Sequence, residues 1–158
     1  DRLVALRGLV SSGAEQATAC LADFYRRFTQ EALVIDSWFA VQATNSKATI
    51  DDIRALTQHE AFTLTNPNRV RSVLAQFANA NPVQFHGADG SGYRFVAEKI
   101  AELDAINPQI ASRLLGAFSK WKRLENGRQQ QALAALQQLS AQQLSNDTYE
   151  TLNRLLTS

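Results

Sequence analysis

The stretch Asn66-Pro67-Asn68-Arg69-Val70-Arg71-Ser72-Val73-Leu74-Ala75-Gln76-Phe77 holds a helix start and a helix face side by side. An asparagine before a helix accepts a hydrogen bond from an amide of the first turn. Proline at the first helical position loses no hydrogen bond, because that N–H would be unpaired anyway. Proline also pushes the residue before it into the extended conformation that a cap needs. Val70, Val73, Leu74 and Phe77 then fall at i, i+3, i+4 and i+7, on one side of a helix. The pattern predicts a helix over 67–79.

The same signals recur along the chain. The other two prolines also follow asparagine, at Asn81-Pro82 and Asn107-Pro108. Thr49 with Asp51 and Asp52, and Ser145 with Asp147, read as further helix starts. Leu21, Phe24, Tyr25 and Phe28 make a second stripe; Leu114, Leu115, Phe118 and Trp121 a third; Leu152, Leu155 and Leu156 a fourth. Leu33 to Val41 is apolar on more than one face, as befits a helix in the middle of a stack. The Gln-rich run Arg128 to Gln143 still places Leu133, Leu136 and Leu139 with Ala132 and Ala135 on a face, so it reads as an outer amphipathic helix. These readings predict helices near 2–10, 14–29, 31–43, 50–59, 67–79, 92–105, 108–123, 127–142 and 146–156, with a short helical turn after Pro82. No stretch alternates as a strand. The expected fold is all-α: one domain over 1–158, built of antiparallel helical hairpins in a right-handed HEAT- or armadillo-like array.

Composition narrows the function. In 158 residues, 16 basic side chains face 15 acidic ones, so no net field recruits nucleic acid or an anionic membrane. The cluster Lys120, Lys122, Arg123 and Arg128 reads as cations near a helix end. No run approaches the ~20 apolar residues of a membrane span. The lone Cys20 cannot form an internal disulfide; it reads as a small buried hydrophobe, and a cytoplasmic location is expected. His59 and His86 form no His-x-x-x-His pair, and no Cys-x-x-Cys, Gly-x-Ser-x-Gly or phosphate-binding loop is present. The sequence therefore predicts neither a catalytic centre nor a metal site in this chain. Its start, Asp1-Arg2-Leu3, reads as cut from a longer polypeptide.

Three of the seven glycines fall in Phe85-His86-Gly87-Ala88-Asp89-Gly90-Ser91-Gly92-Tyr93. The loop reads chiefly as structural, with glycines for unusual dihedrals and Asp89 or Ser91 capping the helix that follows. A binding loop between helices is the other reading.

Several short runs, in order, resemble the C-terminal domain of bacterial aminopeptidase N. They are Leu33-Val34-Ile35-Asp36-Ser37-Trp38-Phe39 with Gln42-Ala43-Thr44, Asn66-Pro67-Asn68-Arg69-Val70-Arg71-Ser72, Asn81-Pro82 with Phe85-His86, Asp89-Gly90-Ser91-Gly92-Tyr93, and Asn107-Pro108-Gln109-Ile110-Ala111-Ser112-Arg113-Leu114. The resemblance spans essentially the whole chain. It implies a parent zinc metallopeptidase that removes N-terminal residues, alanine prominently, from peptides. One zinc ion and its His-Glu-x-x-His ligands would lie in a catalytic domain upstream of Asp1, the partner of this domain in the same polypeptide. It further implies that this domain caps an internal chamber, and that Gln109, Arg113 and Arg71 reach peptide substrates there. Gln109 and Arg113 are i and i+4, so they share a face beside the helix start at Asn107-Pro108. The alternative expectation is a free-standing helical-repeat scaffold that binds other proteins.

Overall fold

In the computed structural model, residues 2–13 and 16–157 are described. Among them every regular element is helical: α1 (Arg2–Ser12), α2 (Ala17–Phe28), α3 (Ala32–Ala43), α4 (Ile50–Thr57), α5 (Pro67–Val70), α6 (Gln76–Ala80), α7 (Pro82–Phe85), α8 (Ser91–Asp104), α9 (Pro108–Leu114), α10 (Asn126–Ser140) and α11 (Asn146–Thr157). A π-helical turn, Arg71–Ala75, joins α5 to α6, and 3₁₀ turns occupy Leu115–Phe118 and Trp121–Arg123. Positions 14 and 15, where the second helix was expected to begin, lie outside the described residues. The expectation of an all-helical chain is met.

The capping logic holds at each Asn-Pro. Asn66 Oδ1 accepts from the amides of Asn68 and Arg69, Asn107 Oδ1 from Ile110 at 3.2 Å, and Asn81 Oδ1 from Gln84 at 3.4 Å. Asn81 does more: its Nδ2 donates to the carbonyls of Ala43 and Asn45, closing the C-terminal end of α3. Thr49 and Asp52 form a reciprocal capping box at the start of α4.

The chain divides into two compact units, 1–84 and 85–158. In the first, α3 is central and packs against α1, α2, α4 and the helical run from α5 to α6. Ile35, Phe39, Val73, Leu74 and Phe77 are essentially sealed from solvent. Each side chain of this size stabilises the fold by about 1.5–3 kcal/mol on burial. The Trp38 indole N–H is satisfied by the Leu21 carbonyl at 2.9 Å, which pins α3 to α2. In the second unit α8 packs on α9 and α10, and α11 closes over α9. Tyr93, Phe95, Ile100, Leu103, Leu115 and Phe118 form its core. The Trp121 indole N–H donates to the Leu155 carbonyl at 2.9 Å.

Three expectations need correction. Cys20 is exposed: α2 turns Phe24 inward, while Cys20, one turn earlier, opens onto a groove beside α1. The helix expected over 108–123 does not run through. It tightens to 3₁₀ at Leu115 and ends by Ser119, so Phe118 and Trp121 reach one core from separate turns. Leu33, within the apolar run of α3, is 77% exposed, although its neighbour Ile35 is buried.

Candidate functional site

Gln109 and Arg113 are both exposed on α9, whose opposite side carries the buried Ala111 and Leu114. Neither side chain makes a hydrogen bond or ion pair among the described residues, so the Arg113 guanidinium keeps its full set of donors. The helix beneath is firmly held. Asp104, the last residue of α8, accepts three short hydrogen bonds from the start of α11: Ser145 N at 2.6 Å, Ser145 Oγ at 2.7 Å and Thr148 Oγ1 at 2.6 Å. Thr148 is fully buried and also reaches the Pro108 carbonyl, at 3.4 Å. Ser112 and Thr151 share a 2.6 Å hydrogen bond, a second tie from α9 to α11. Burial alone would raise the Asp104 carboxyl; the hydrogen bonds from Ser145 and Thr148 outweigh it and hold the group below the ordinary carboxylate range.

The start of α9 adds few donors of its own. α9 is seven residues long, Pro108 carries no N–H, and Asn107 occupies the amide of Ile110. The donors this face offers are therefore the side chains.

Arg71 lies in the first unit, exposed at the beginning of the π-helical turn. Its Nη1 donates to Asn68 Oδ1 at 2.7 Å, so part of its capacity is spent. Arg69, two residues earlier, faces the opposite way. It is 8% exposed, its Nε lies 3.0 Å from Asp36 Oδ1, and its guanidinium sits over the Phe39 ring. Residues two apart on a helix project about 200° from each other, so one arginine of the motif is a buried tie and the other points outward.

The glycine-rich loop is locked in place. Gly90 has φ +77°, and a Cβ there would meet the Gln131 side chain at 2.5 Å. Asp89 Oδ1 takes the Ser91 amide at 3.0 Å and the Ser91 hydroxyl at 2.7 Å. Arg128 Nε donates to the His86 carbonyl at 2.6 Å, and His86 Nδ1 pairs with the Tyr93 hydroxyl at 2.6 Å. Burial, then the nearby Arg128, lowers the His86 pKa, while burial raises that of Tyr93. A neutral His86 and the Tyr93 hydroxyl then share one hydrogen bond at Nδ1. The hydrogen bonds of Asp89, Ser91, His86 and Tyr93 stay within the loop or tie it to α10, which supports the structural reading.

Among the described residues no group of three His, Cys, Asp or Glu side chains is placed to hold a metal ion. The resemblance implies a zinc ion in an upstream catalytic domain, not on these residues. No helix among them is long and apolar enough to cross a membrane.

Residues 1–157 match the family described as "Domain of unknown function (DUF3458_C) ARM repeats". The chain belongs to this family. The repeat description agrees with the expected stack of helical hairpins. Aminopeptidase N of Escherichia coli (strain K12) is 40% identical over 158 residues, 99% of this chain and 18% of that protein. Aminopeptidase N of Haemophilus influenzae is 37% identical over the same shares. A crystal structure of Legionella pneumophila aminopeptidase A in complex with aspartic acid superposes with a TM-score of 0.91 and 31% identity, covering 98% of this chain and 18% of that one. The family domain is thus homologous to the C-terminal region of these aminopeptidases, and it spans about a fifth of the length of the relatives it matches.

The supports of α9 were not legible in sequence. Asp104 and Ser145 are 41 positions apart, and no local pattern links them. Ser145 was recognised as a cap, but not the carboxylate that holds it.

Proposed function

We propose that this chain is the C-terminal domain of a zinc-dependent aminopeptidase that removes N-terminal residues from peptides. The domain caps the chamber of an upstream catalytic domain in the same polypeptide, and that domain holds the zinc. Residues 1–158 act in this as one domain, without nucleic acid or membrane as partners. The single exposed thiol, with no disulfide, suits a cytoplasmic enzyme.

Gln109 and Arg113 receive the downstream carboxylate of short peptides. The observation that carries this is the exposed, unpaired Arg113 beside Gln109, on a short helix held by the Asp104 cluster. A guanidinium with open donors on a fixed support is what carboxylate recognition requires. Arg71, in the first unit, is a substrate contact in its own right, weaker because Asn68 already takes one donor.

The test compares Arg113→Ala with wild type in the full polypeptide on three substrates: a tripeptide, its C-terminal amide and an alanyl anilide. A charge-assisted hydrogen bond contributes about 1.5–3 kcal/mol, so kcat/KM for the free tripeptide should fall roughly tenfold to a hundredfold. The amide and the anilide carry no downstream carboxylate and should be nearly indifferent. Equal losses on all three would show that Arg113 acts through stability or domain docking.

A further inference from the structure

Arg71 is exposed at the point where α5 passes into the π-helical turn Arg71–Ala75. A π-helical turn carries more residues than the α-helical turn it replaces, so the faces of the helix change register across it. Val73 and Leu74 are sealed in the core, and Arg71 is left outside. Single turns of this kind are frequent at functional sites. The residue that meets Arg71 there is Asn68, one turn earlier, whose Oδ1 accepts from Arg71 Nη1 at 2.7 Å. Asn68 is itself held at both ends of its backbone. Its amide donates to Asn66 Oδ1 at 3.0 Å, and its carbonyl accepts from the Ser72 hydroxyl at 2.7 Å. Next to it, Arg69 ties the same turn to Asp36 and to the Ala61 carbonyl.

We infer that Asn68 is a positioning residue for Arg71, and that the group Arg71 receives is a carboxylate of the peptide. The inference rests on the reading of Arg71 as a substrate contact of an aminopeptidase. A free arginine side chain gives up rotamer freedom when it binds a ligand. Asn68 removes part of that loss before the ligand arrives. The bond engages Nη1, so the edge made by Nε and Nη2 keeps both donors for a carboxylate. An amide oxygen does this without carrying charge. Arg71 makes no ion pair among the described residues, so its positive charge stays available to an anion. A carboxylate at position 68 would hold the arginine equally well but would neutralise it.

The test uses the full polypeptide with Asn68→Ala, Asn68→Asp, Arg71→Ala, and Asn68→Ala combined with Arg71→Ala. The substrates are trialanine, trialanine amide and alanyl-alanyl-glutamate amide, which separate a C-terminal carboxylate from one on a side chain. On whichever acid Arg71 reads, Arg71→Ala should lower kcat/KM about tenfold. Asn68→Ala should raise KM about threefold to tenfold with little change in kcat, because ground state and transition state lose the aim equally. Asn68→Asp should raise KM further, since its charge neutralises Arg71 and repels the ligand. With Arg71 already replaced, Asn68→Ala should add nothing. An Asn68→Ala effect that persists without Arg71, or that is as large on trialanine amide, overturns the inference and leaves Arg71 its contact. Asn68→Asp indistinguishable from wild type overturns it too. If Arg71→Ala acts on neither acid, the substrate contact itself is wrong and the inference falls with it. Alanyl-anilide hydrolysis by the wild-type polypeptide is read in parallel; its absence refutes the proposed function, and this inference with it.

Discussion

Replacing Asp104 with asparagine tests whether the α8–α11 tie is what holds the face of α9. The carboxylate accepts from Ser145 N and Oγ and from Thr148 Oγ1, all at 2.6–2.7 Å. An asparagine oxygen placed for the two hydroxyls turns its NH₂ toward the Ser145 amide, donor against donor. One charge-assisted bond is lost and two become neutral, a cost of about 2–4 kcal/mol. Asp104 is also the last residue of α8, where a negative charge opposes the helix dipole, and relieving this returns about 0.3–1 kcal/mol. The net expectation is about 2–3 kcal/mol of destabilisation at pH 7. Urea unfolding measures it; in a Trp38→Phe background the Trp121 fluorescence reports the second unit alone. The pH dependence is a further check. The Asp104 pKa is depressed in the folded chain, so its stabilisation is complete above the unfolded value, ~3.9, and is lost as pH falls through the folded pKa. The difference between wild type and variant should therefore shrink with acidification below about pH 4. A cost under about 0.5 kcal/mol at pH 7, or a difference that ignores pH, would refute the account.

Asp36→Ala leaves Arg69 charged and part-buried over Phe39, and should cost about 3 kcal/mol in chemical denaturation; the volume-matched Arg69→Met paired with Asp36→Leu should cost much less. Gly90→Ala combines a positive φ with a collision against Gln131, so it should destabilise by at least about 1–2 kcal/mol, and Gln131→Ala should recover only part of the collision, because its Cβ stays 2.9 Å away. His59 and His86 are both held below the ordinary imidazole pKa, first by burial. Their contribution is full above about pH 6.5 and falls as pH drops through the folded values, and His86→Gln should flatten the stability–pH curve between about pH 6.5 and 5.

Much of the fold was legible because its signals are local. Asn-Pro caps, i/i+3/i+4 stripes and the Thr49–Asp52 box all lie within a turn or two of sequence, and the caps and the box appear where they were expected. The π-helical turn at Arg71 and the 3₁₀ ending at Leu115 were missed because packing imposes them. Val73, Leu74, Leu115 and Phe118 are all sealed in the core, and the backbone adjusts to place them there. Cys20 was misjudged for a related reason. Periodicity shows which face of α2 is apolar, but not whether a neighbour covers all of it. At the candidate site the sequence placed Gln109 and Arg113 on one face and could not see the carboxylate 41 positions from Ser145 that secures the helix. Nor could it see that Arg69 is a buried tie to Asp36, 33 positions away.

The Asn-Pro starts bear on how the protein ages. Asparagine deamidates when the backbone nitrogen of the following residue attacks the side-chain carbonyl, and that nitrogen must be free to lose its proton. Proline has no N–H to give. Asn66, Asn81 and Asn107, whose side chains hold three helix starts, are therefore closed to this route. Asn126-Gly127 is the opposite pairing, the sterically least hindered for such an attack. There the Gly127 N–H is held by Glu125 Oε2 at 2.9 Å within the first turn of α10, so ring closure must wait for that end of the helix to fray. Storage damage should thus gather at Asn126, at one frayed helix end, while the three proline-guarded caps stay as synthesised.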